Sequence, residues 1–167
     1  MNVLQIIAHP DPEESSFTHA LAKSFRNGAA KADHNVSYFN VYDIEGSDVG
    51  INEIKDFVLN ADRICFAWPC WWEMPPAKLV DLLQTVFVRG FAFDLAGDRM
   101  VPKLNIPTTC LISMGQNKQL NTTNLLEAMT YCGLHPQFAV FQNVGPRLQP
   151  ELAEAYLDTA FRLGQQL

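Results

Sequence analysis

Residues 63–68 read RICFAW and are apolar after the initial arginine. A short apolar run of this kind is typical of a strand that is buried on both faces of a parallel sheet. Residues 77–88 follow after a loop, and their leucines and valines recur at helical spacing. A buried strand followed by a helix is the repeating unit of α/β folds, so these residues predict an α/β protein.

The same unit occurs five times along the chain. The pattern predicts strands at residues 3–8, 35–41, 63–68, 106–113 and 137–142, and helices at residues 17–30, 51–60, 77–88, 120–132 and 150–163. Right-handed crossovers place helices on both faces of one doubly wound sheet. Five strands favour the flavodoxin-like order 2-1-3-4-5 over a six-stranded dinucleotide-binding sheet. Residues 93–105 are expected to form an irregular surface excursion.

Composition restricts the domain organisation and the class of partner. The chain has 167 residues, of which 48 % are hydrophobic, and a net charge of −6. This length predicts a single domain spanning residues 1–167. Since no run of Lys or Arg interrupts the acidic balance, we expect neither nucleic acid nor an anionic membrane as a partner.

The sequence lacks the signals of a membrane span, a signal peptide and a zinc site. No apolar run approaches the roughly 18 residues that a membrane span needs, so no membrane insertion is expected. The start, MNVLQIIAHP, has no basic region or cleavage pattern of a signal peptide. The four cysteines form no CxxC pair and no usual zinc-ligand spacing. We therefore expect a cytoplasmic protein with reduced thiols and no metal.

The loop after the first predicted strand offers an anion site. Ser15, Ser16 and Thr18 lie at the start of a helix, where hydroxyls and free N–H groups bind anions without a lysine. Simple capping of the helix by one of these residues explains the pattern equally well. His9 stands at the strand end, where a histidine is more often structural than catalytic.

The loops after the third and fourth predicted strands extend the candidate site. The first reads AWPCWWEMPPAKLVD (residues 67–81). It predicts a wall for a planar ring, a hydrophobic loop packed on the neighbouring helix, or a subunit interface. The second reads SMGQNKQLNT (residues 113–122). Its Gly115 permits close approach to a ligand, although most such glycines only form turns.

Several segments together resemble a known family. They are AHP at residues 8–10, SSFTHAL at 15–21, FAWPCWW at 66–72, GFAF at 90–93 and NVG at 143–145. The chain resembles the NAD(P)H:quinone oxidoreductase family, flavodoxin-like proteins related to DT-diaphorase and to ancillary subunits of bacterial potassium efflux systems. The block from residue 66 to residue 93 matches without gaps and is the most specific part.

The resemblance implies a flavin site, residue by residue. It places His9 on the phosphate side of the flavin, and the phosphate on the helix start formed by Ser15, Ser16, Phe17 and Thr18. The isoalloxazine ring would run along Pro69, Cys70, Trp71 and Trp72. The residues Ser113, Met114, Gly115 and Gln116 replace the family's Thr-Thr-Gly-Gly turn.

The resemblance also implies a reaction and an assembly. Family members transfer a hydride from NAD(P)H to the flavin and then to a quinone in a ping-pong cycle. We expect FMN, with FAD as the alternative, and no catalytic residue is assigned. A quinone-like acceptor and a homodimer are expected, since substrate pockets in this family lie beside the partner subunit.

Several positions depart from the family pattern and leave alternatives open. Thr18 replaces a common Asn, Val80 replaces a usual Lys, and residues 117–123 form a shorter loop without the family's Tyr or His. One alternative is a regulatory subunit that binds a flavin or nucleotide and controls a transporter. The other is a flavin-free interaction protein on the same fold.

Overall fold

The computed structural model describes residues 1–44, 48–117 and 119–167. Residue 118 of the shortened loop lies outside the described residues. In chain order the elements are β1 (Asn2–Ile7), α1 (Phe17–Lys31), β2 (Asn35–Asn40), α2 (Asp48–Leu59), β3 (Arg63–Cys70), α3 (Ala77–Val86), β4 (Phe93–Ala96), β5 (Arg99–Pro102), β6 (Ile106–Met114), α4 (Thr123–Tyr131), β7 (Leu134–Phe141) and α5 (Pro150–Gln165).

The five long strands form one parallel sheet in the order β2-β1-β3-β6-β7. Counted without the short strands β4 and β5, this is the predicted order 2-1-3-4-5. The register pairs Ile7 with Ala67, and Ala67 with Leu111, so β1, β3 and β6 reach the same edge of the sheet. The flavodoxin-like fold class is therefore confirmed.

The sheet has a core on each face because successive side chains of a strand point to opposite sides. In β1, Leu4 and Ile6 belong to the core that also holds buried residues of α2, α3 and α4. Val3 and Ile7 belong to the second core, which holds buried residues of α1 and α5. Helices thus cover both faces, as the near-continuous apolar strands predict.

A buried polar contact fixes α1 against β1. Gln5 is fully buried in the middle of β1, and its Nε2 donates to the carbonyl of Ala22 at 3.0 Å. Arg26 donates from Nη1 to Gln5 Oε1 at 2.8 Å, so both ends of the amide are satisfied. This pairing joins the second and third turns of α1 to the middle of β1.

The predicted irregular segment at residues 93–105 is wrong, because β4 and β5 pair there as an antiparallel hairpin. Ala96 pairs with Arg99, so Gly97 and Asp98 form a two-residue turn, and Gly97 has φ +63°. A Gly-Asp pair between short strands is a recognised hairpin signal. The strands are four residues each and mostly exposed, which leaves almost no apolar alternation to detect.

Other boundaries shift by a few residues. The strand β3 extends through Pro69 and Cys70, which the sequence places in a loop; they pair with Ser113 and Met114. The strand β7 begins at Leu134 rather than at residue 137, and α4 begins at Thr123 rather than at residue 120.

No disulfide joins the four cysteines, all of which lie in the described ranges, and three of them are buried. Burial in the apolar interior raises the pKa of Cys65 to about 12, so this thiol is inert at neutral pH. Within the described ranges, no helix combines the length and the apolar character that crossing a membrane requires.

Candidate functional site

A cavity of about 330 Å³ lies at the carboxyl ends of β1, β3 and β6. Crevices at this end of doubly wound sheets bind ligands, above all where the chain changes direction between β1 and β3. The residues that line it are His9, Ser16, Phe17, Thr18, Pro69, Cys70, Trp71, Ser113, Met114, Gly115, Val144, Gly145 and Leu148. Ten of these thirteen were predicted as site residues.

The start of α1 forms one end of the cavity. Ser16 caps the helix, with extended backbone at φ −72° and ψ 154°, and its Oγ accepts the His19 N–H at 3.3 Å. The first turn holds no acidic residue. The N–H groups at a helix start have no intrahelical partner and favour negative charge. Capping and anion binding are therefore compatible here.

A buried hydroxyl pair joins this helix to the sheet. Thr18 Oγ1 and Ser113 Oγ lie 2.7 Å apart, and both residues are almost fully buried. The pair connects α1 to the carboxyl end of β6, although the two residues are 95 positions apart. It holds two walls of the cavity at a fixed separation.

Ser15 does not line the cavity. Its hydroxyl donates to Asp11 Oδ2 at 2.8 Å, and its backbone N–H donates to the same oxygen at 2.8 Å. The Asp11 carboxylate also accepts the Glu13 N–H at 3.1 Å. The hydrogen bond from Ser15 is the largest cause that lowers the pKa of Asp11. Ser15 thus organises the loop before α1.

The aromatic wall is a tight turn that follows β3. Backbone hydrogen bonds join Trp71 to Met74 in both directions, at 2.9 and 3.1 Å. The two central residues, Trp72 and Glu73, have φ of +57° and +64°. Positive φ at both central positions defines a type I′ turn, which normally takes Gly or Asn. Strained backbone of this kind is concentrated at ligand clamps and active sites.

The two tryptophans occupy different places. Trp71 lines the main cavity and is 43 % exposed, whereas Trp72 is 92 % exposed and lines only an adjoining outer cavity of about 440 Å³. The outer cavity is lined by Cys70, Trp71, Trp72, Glu73, Met114, Gly115 and Gln116. Four residues line both cavities, so the two spaces are adjacent.

Three lining residues were not predicted as site residues: Val144, Gly145 and Leu148. They follow β7, whose carboxyl end lies at the same edge of the sheet, and Val144 N–H donates to Met114 O at 2.9 Å. Their place directly after the last predicted strand is the sequence signal that could have identified them as site residues. A Cβ at Gly115 would lie 3.5 Å from Val144 O, an ordinary contact, so the protein itself does not require glycine there.

Two histidines meet at the helix end of the cavity. The His9 ring lies edge-on to the rings of His19 and Trp71, with centroids 5.2 and 5.6 Å away. His9 Nδ1 accepts the Asp11 N–H at 3.1 Å, and His19 Nδ1 lies 2.8 Å from Ser16 Oγ. Burial lowers the pKa of both histidines, and the mutual repulsion of the charged forms lowers the pKa of His9 further.

These shifts predict a loss of stability in mild acid. In the unfolded chain these histidines have the ordinary pKa of 6.5, so below about pH 6.5 they bind protons. In the folded chain their pKa is lower, so they stay neutral to a more acidic pH. The contribution of His9 and His19 to the free energy of unfolding is therefore complete above about pH 6.5 and is lost as the pH falls below it. Denaturant titrations between about pH 8 and pH 5 should show this fall, and it should be smaller in His19→Gln. An unchanged pH dependence in His19→Gln, with exposed His135→Gln as the control, would contradict the assignment.

The fold and the cavity at the switch point define the class: a flavodoxin-like α/β protein with a ligand site at the carboxyl edge of its sheet. A family model described as "Flavodoxin-like fold" matches residues 1–162. The chain belongs to this Flavodoxin_2 family, which confirms the family expected from the sequence.

Individual relatives agree with this assignment. An uncharacterized NAD(P)H oxidoreductase of Haemophilus influenzae is 27 % identical over 172 residues, covering 86 % of this chain and 85 % of that protein. The structure of an NAD(P)H:quinone oxidoreductase from Methanothermobacter marburgensis has a TM-score of 0.79 at 22 % identity, covering 99 % of this chain and 96 % of the other. An FMN-dependent NADH-azoreductase from Bacillus anthracis, in complex with FMN, has a TM-score of 0.77 at 16 % identity, covering 99 % of each chain.

Proposed function

We propose that this chain is a flavin-dependent NAD(P)H oxidoreductase that reduces a quinone-type acceptor by two-electron hydride transfer. One observation carries the proposal: a helix start that suits a phosphate and an aromatic turn that suits a planar ring border the same cavity. The NAD(P)H oxidoreductase from Haemophilus influenzae and the two reductase structures support it.

The described residues fit FMN at its phosphate end. The N–H groups at Phe17 and Thr18, beyond the Ser16 cap, would hold the phosphate, with His9 beside it. Among the described lining residues none is Lys or Arg, so the helix start and hydroxyls would supply the binding. The similar FMN-dependent NADH-azoreductase from Bacillus anthracis, in complex with FMN, favours FMN over FAD.

The ring of the flavin would lie between the two loops that follow β3 and β6. Pro69 and Cys70 form the strand end, and Trp71 and Trp72 continue it as the turn. The residues Ser113 to Gln116 form the opposite wall. FMN, when bound, supplies the hydride-accepting centre, and these side chains orient it and exclude water from one of its faces.

The acceptor would enter through the outer cavity beside Trp72. We propose that the working form is a homodimer, because Trp72 and Met74, in the turn beside this opening, are large, apolar and exposed. Exposed patches of this kind usually mark a partner or ligand surface. A second subunit would complete the acceptor pocket.

The experiment that tests the proposal is an absorbance spectrum after incubation with excess FMN and desalting. A retained oxidised flavin band, followed by NADH or NADPH consumption that depends on an added quinone, is the expected result. Retained flavin with negligible turnover would favour the transporter-regulating alternative. Failure to retain FMN or FAD would refute the proposal and favour a flavin-free interaction protein.

The different places of the two tryptophans predict different effects on flavin binding. Trp71→Ala should raise the FMN dissociation constant by about tenfold, since it removes an aromatic contact worth about 1.4 kcal/mol. Trp72→Ala should have a smaller effect on FMN and a larger effect on the Michaelis constant for quinone. Fluorescence titration with FMN measures the first, and steady-state kinetics the second. An unchanged dissociation constant in both variants would refute the ring placement.

A further inference from the structure

Three side chains of metal-binding chemistry, His9, Asp11 and His19, meet beside the start of α1. Each offers one ligand atom, and these atoms all lie within 4.8 Å of one another. His19 is buried, and the other two are half-buried. Their spacing along the chain matches no usual zinc pattern, which is why the sequence predicts no metal.

His19 carries the clearest sign of a missing partner. Its Nε2 is buried and has no hydrogen-bond partner within the described part of the chain. Its Nδ1 lies 2.8 Å from Ser16 Oγ, and a hydroxyl oxygen has two lone pairs, so it can accept both the His19 backbone N–H and the Nδ1–H. In that tautomer, Nε2 holds a bare lone pair. Histidine ligands of metals almost always donate their other ring N–H in this way.

The other two side chains can each exchange one hydrogen bond for a metal ion. His9 Nδ1 accepts the Asp11 N–H at 3.1 Å. An ion can replace this contact, because Asp11 is only half-buried and its N–H can then donate to water. The Asp11 carboxylate accepts three hydrogen bonds, from Glu13 and Ser15. The Ser16 N–H also interacts with this carboxylate, so a cation would compete with that N–H for the fourth of about four lone-pair positions.

The local charge also favours a cation. The loop that precedes α1 carries Asp11, Glu13 and Glu14. No lysine or arginine is among the described residues that line the adjoining cavity. A bound divalent ion would offset this negative charge at the end of the cavity where we place a phosphate.

We propose that His9, Asp11 and His19 bind a divalent transition-metal ion of the zinc class. Two imidazoles and one carboxylate are the protein ligands of several catalytic zinc and non-haem iron sites, which keep further coordination positions open. Metal–ligand bonds of about 2.0–2.1 Å place tetrahedral ligands roughly 3.4 Å apart, so ligand atoms now up to 4.8 Å apart must draw together by as much as about 1.4 Å. Since His9 lines the cavity, an oxyanion there lies within reach of an open position.

The test is a titration of the chelator-treated, flavin-free, full-length protein with Co²⁺, followed by Zn²⁺. We expect visible Co²⁺ absorption that saturates at one ion per chain and disappears as Zn²⁺ displaces it. Asp11→Asn keeps one of the two oxygens that accept hydrogen bonds in the loop and loses the negative charge. Asp11→Asn and His19→Gln should each weaken Co²⁺ binding by at least about 10–100-fold, the effect of changing an outer partner of a ligand.

Matched controls separate this site from other metal-binding groups. His135→Ala should leave Co²⁺ affinity unchanged, because His135 is exposed and pairs with Asn105. Cys132→Ser should also leave it unchanged. Absence of stoichiometric binding, wild-type affinity in Asp11→Asn, or loss of binding in Cys132→Ser would overturn the proposal.

The metal titration requires neither bound flavin nor a folded His19→Gln variant. Asp11 is half-buried in a loop, so Asp11→Asn tests the site even where buried His19→Gln fails to fold, as circular dichroism would show. Metal binding by a protein that retains no flavin would leave this inference standing and refute the proposed oxidoreductase.

Discussion

Ser16→Glu is expected to raise the dissociation constant for FMN by about 100-fold or more. Ser16 lines the cavity at the N-cap of α1, where the phosphate would meet the free N–H groups of the helix. A carboxylate there opposes a dianion, and like charges brought together cost several kcal/mol, with every 1.4 kcal/mol worth tenfold in affinity. Fluorescence titration with FMN measures the change.

Ser15→Glu is the matched control. It adds the same charge one residue earlier, at an exposed side chain that turns to Asp11 and does not line the cavity. We expect less than about a tenfold effect on FMN, because exposed charges are screened by solvent and salt. Ser16→Ala removes the helix cap, at a cost of about 1 kcal/mol of stability, but adds no charge. It therefore shows how much of the effect of Ser16→Glu comes from losing the cap rather than from repulsion of the phosphate. Equal losses of affinity in Ser15→Glu and Ser16→Glu would contradict the phosphate placement.

Gly28→Val is expected to destabilise the fold by about 3 kcal/mol, the upper end of the usual cost of overpacking. A Cβ at Gly28 would lie 1.9 Å from the carbonyl oxygen of Phe161 in α5, and a Cβ at Gly164 would lie 2.0 Å from that of Phe25 in α1. The obstacles are backbone atoms, so the helices must separate. A loss of this size lowers the melting temperature by roughly 6–12 °C in a chain of this length.

Ala30→Val is the control for Gly28→Val. It introduces the same side chain two residues further along α1, on the exposed face. It should cost less than about 0.7 kcal/mol, the range of ordinary helix propensities. Thermal melts and urea titrations of both variants measure the difference. Similar losses in the two variants would show that valine in α1, rather than close helix packing, is the cause.

The fold could be predicted because the pattern of apolar residues is local and strong. RICFAW at residues 63–68 is buried on both faces of the sheet, as its uninterrupted apolar run indicates. The helix after it shows buried Leu79, Leu82 and Val86 at helical spacing. Given five such units, the right-handed crossover leaves few possible strand orders. The hairpin at residues 93–102 was missed because its short strands are mostly exposed and carry no such pattern.

The candidate site could be predicted only as a set of loops. Topology brings the ends of β1, β3 and β6 to one edge, so most of the predicted residues share the two cavities. The sequence cannot distinguish Ser15 from Ser16, or Trp71 from Trp72, because adjacent residues of one type carry the same local signal. Backbone dihedrals of single residues, such as φ +57° at Trp72, decide which side chain of each pair lines the main cavity.

By itself the sequence determined the α/β class, the strand order, the family and the loops that surround the cavity, since these follow from periodicity and from motifs along the chain. Only the tertiary structure decided which hydroxyls face the cavity, how closely α1 approaches α5, and that His19 lies beside His9 with a buried, unpaired nitrogen. The physical reason is distance along the chain. Contacts such as that between Thr18 and Ser113, 95 residues apart, depend on how whole elements pack. They cannot be recognised from the spacing of neighbouring residues in the sequence.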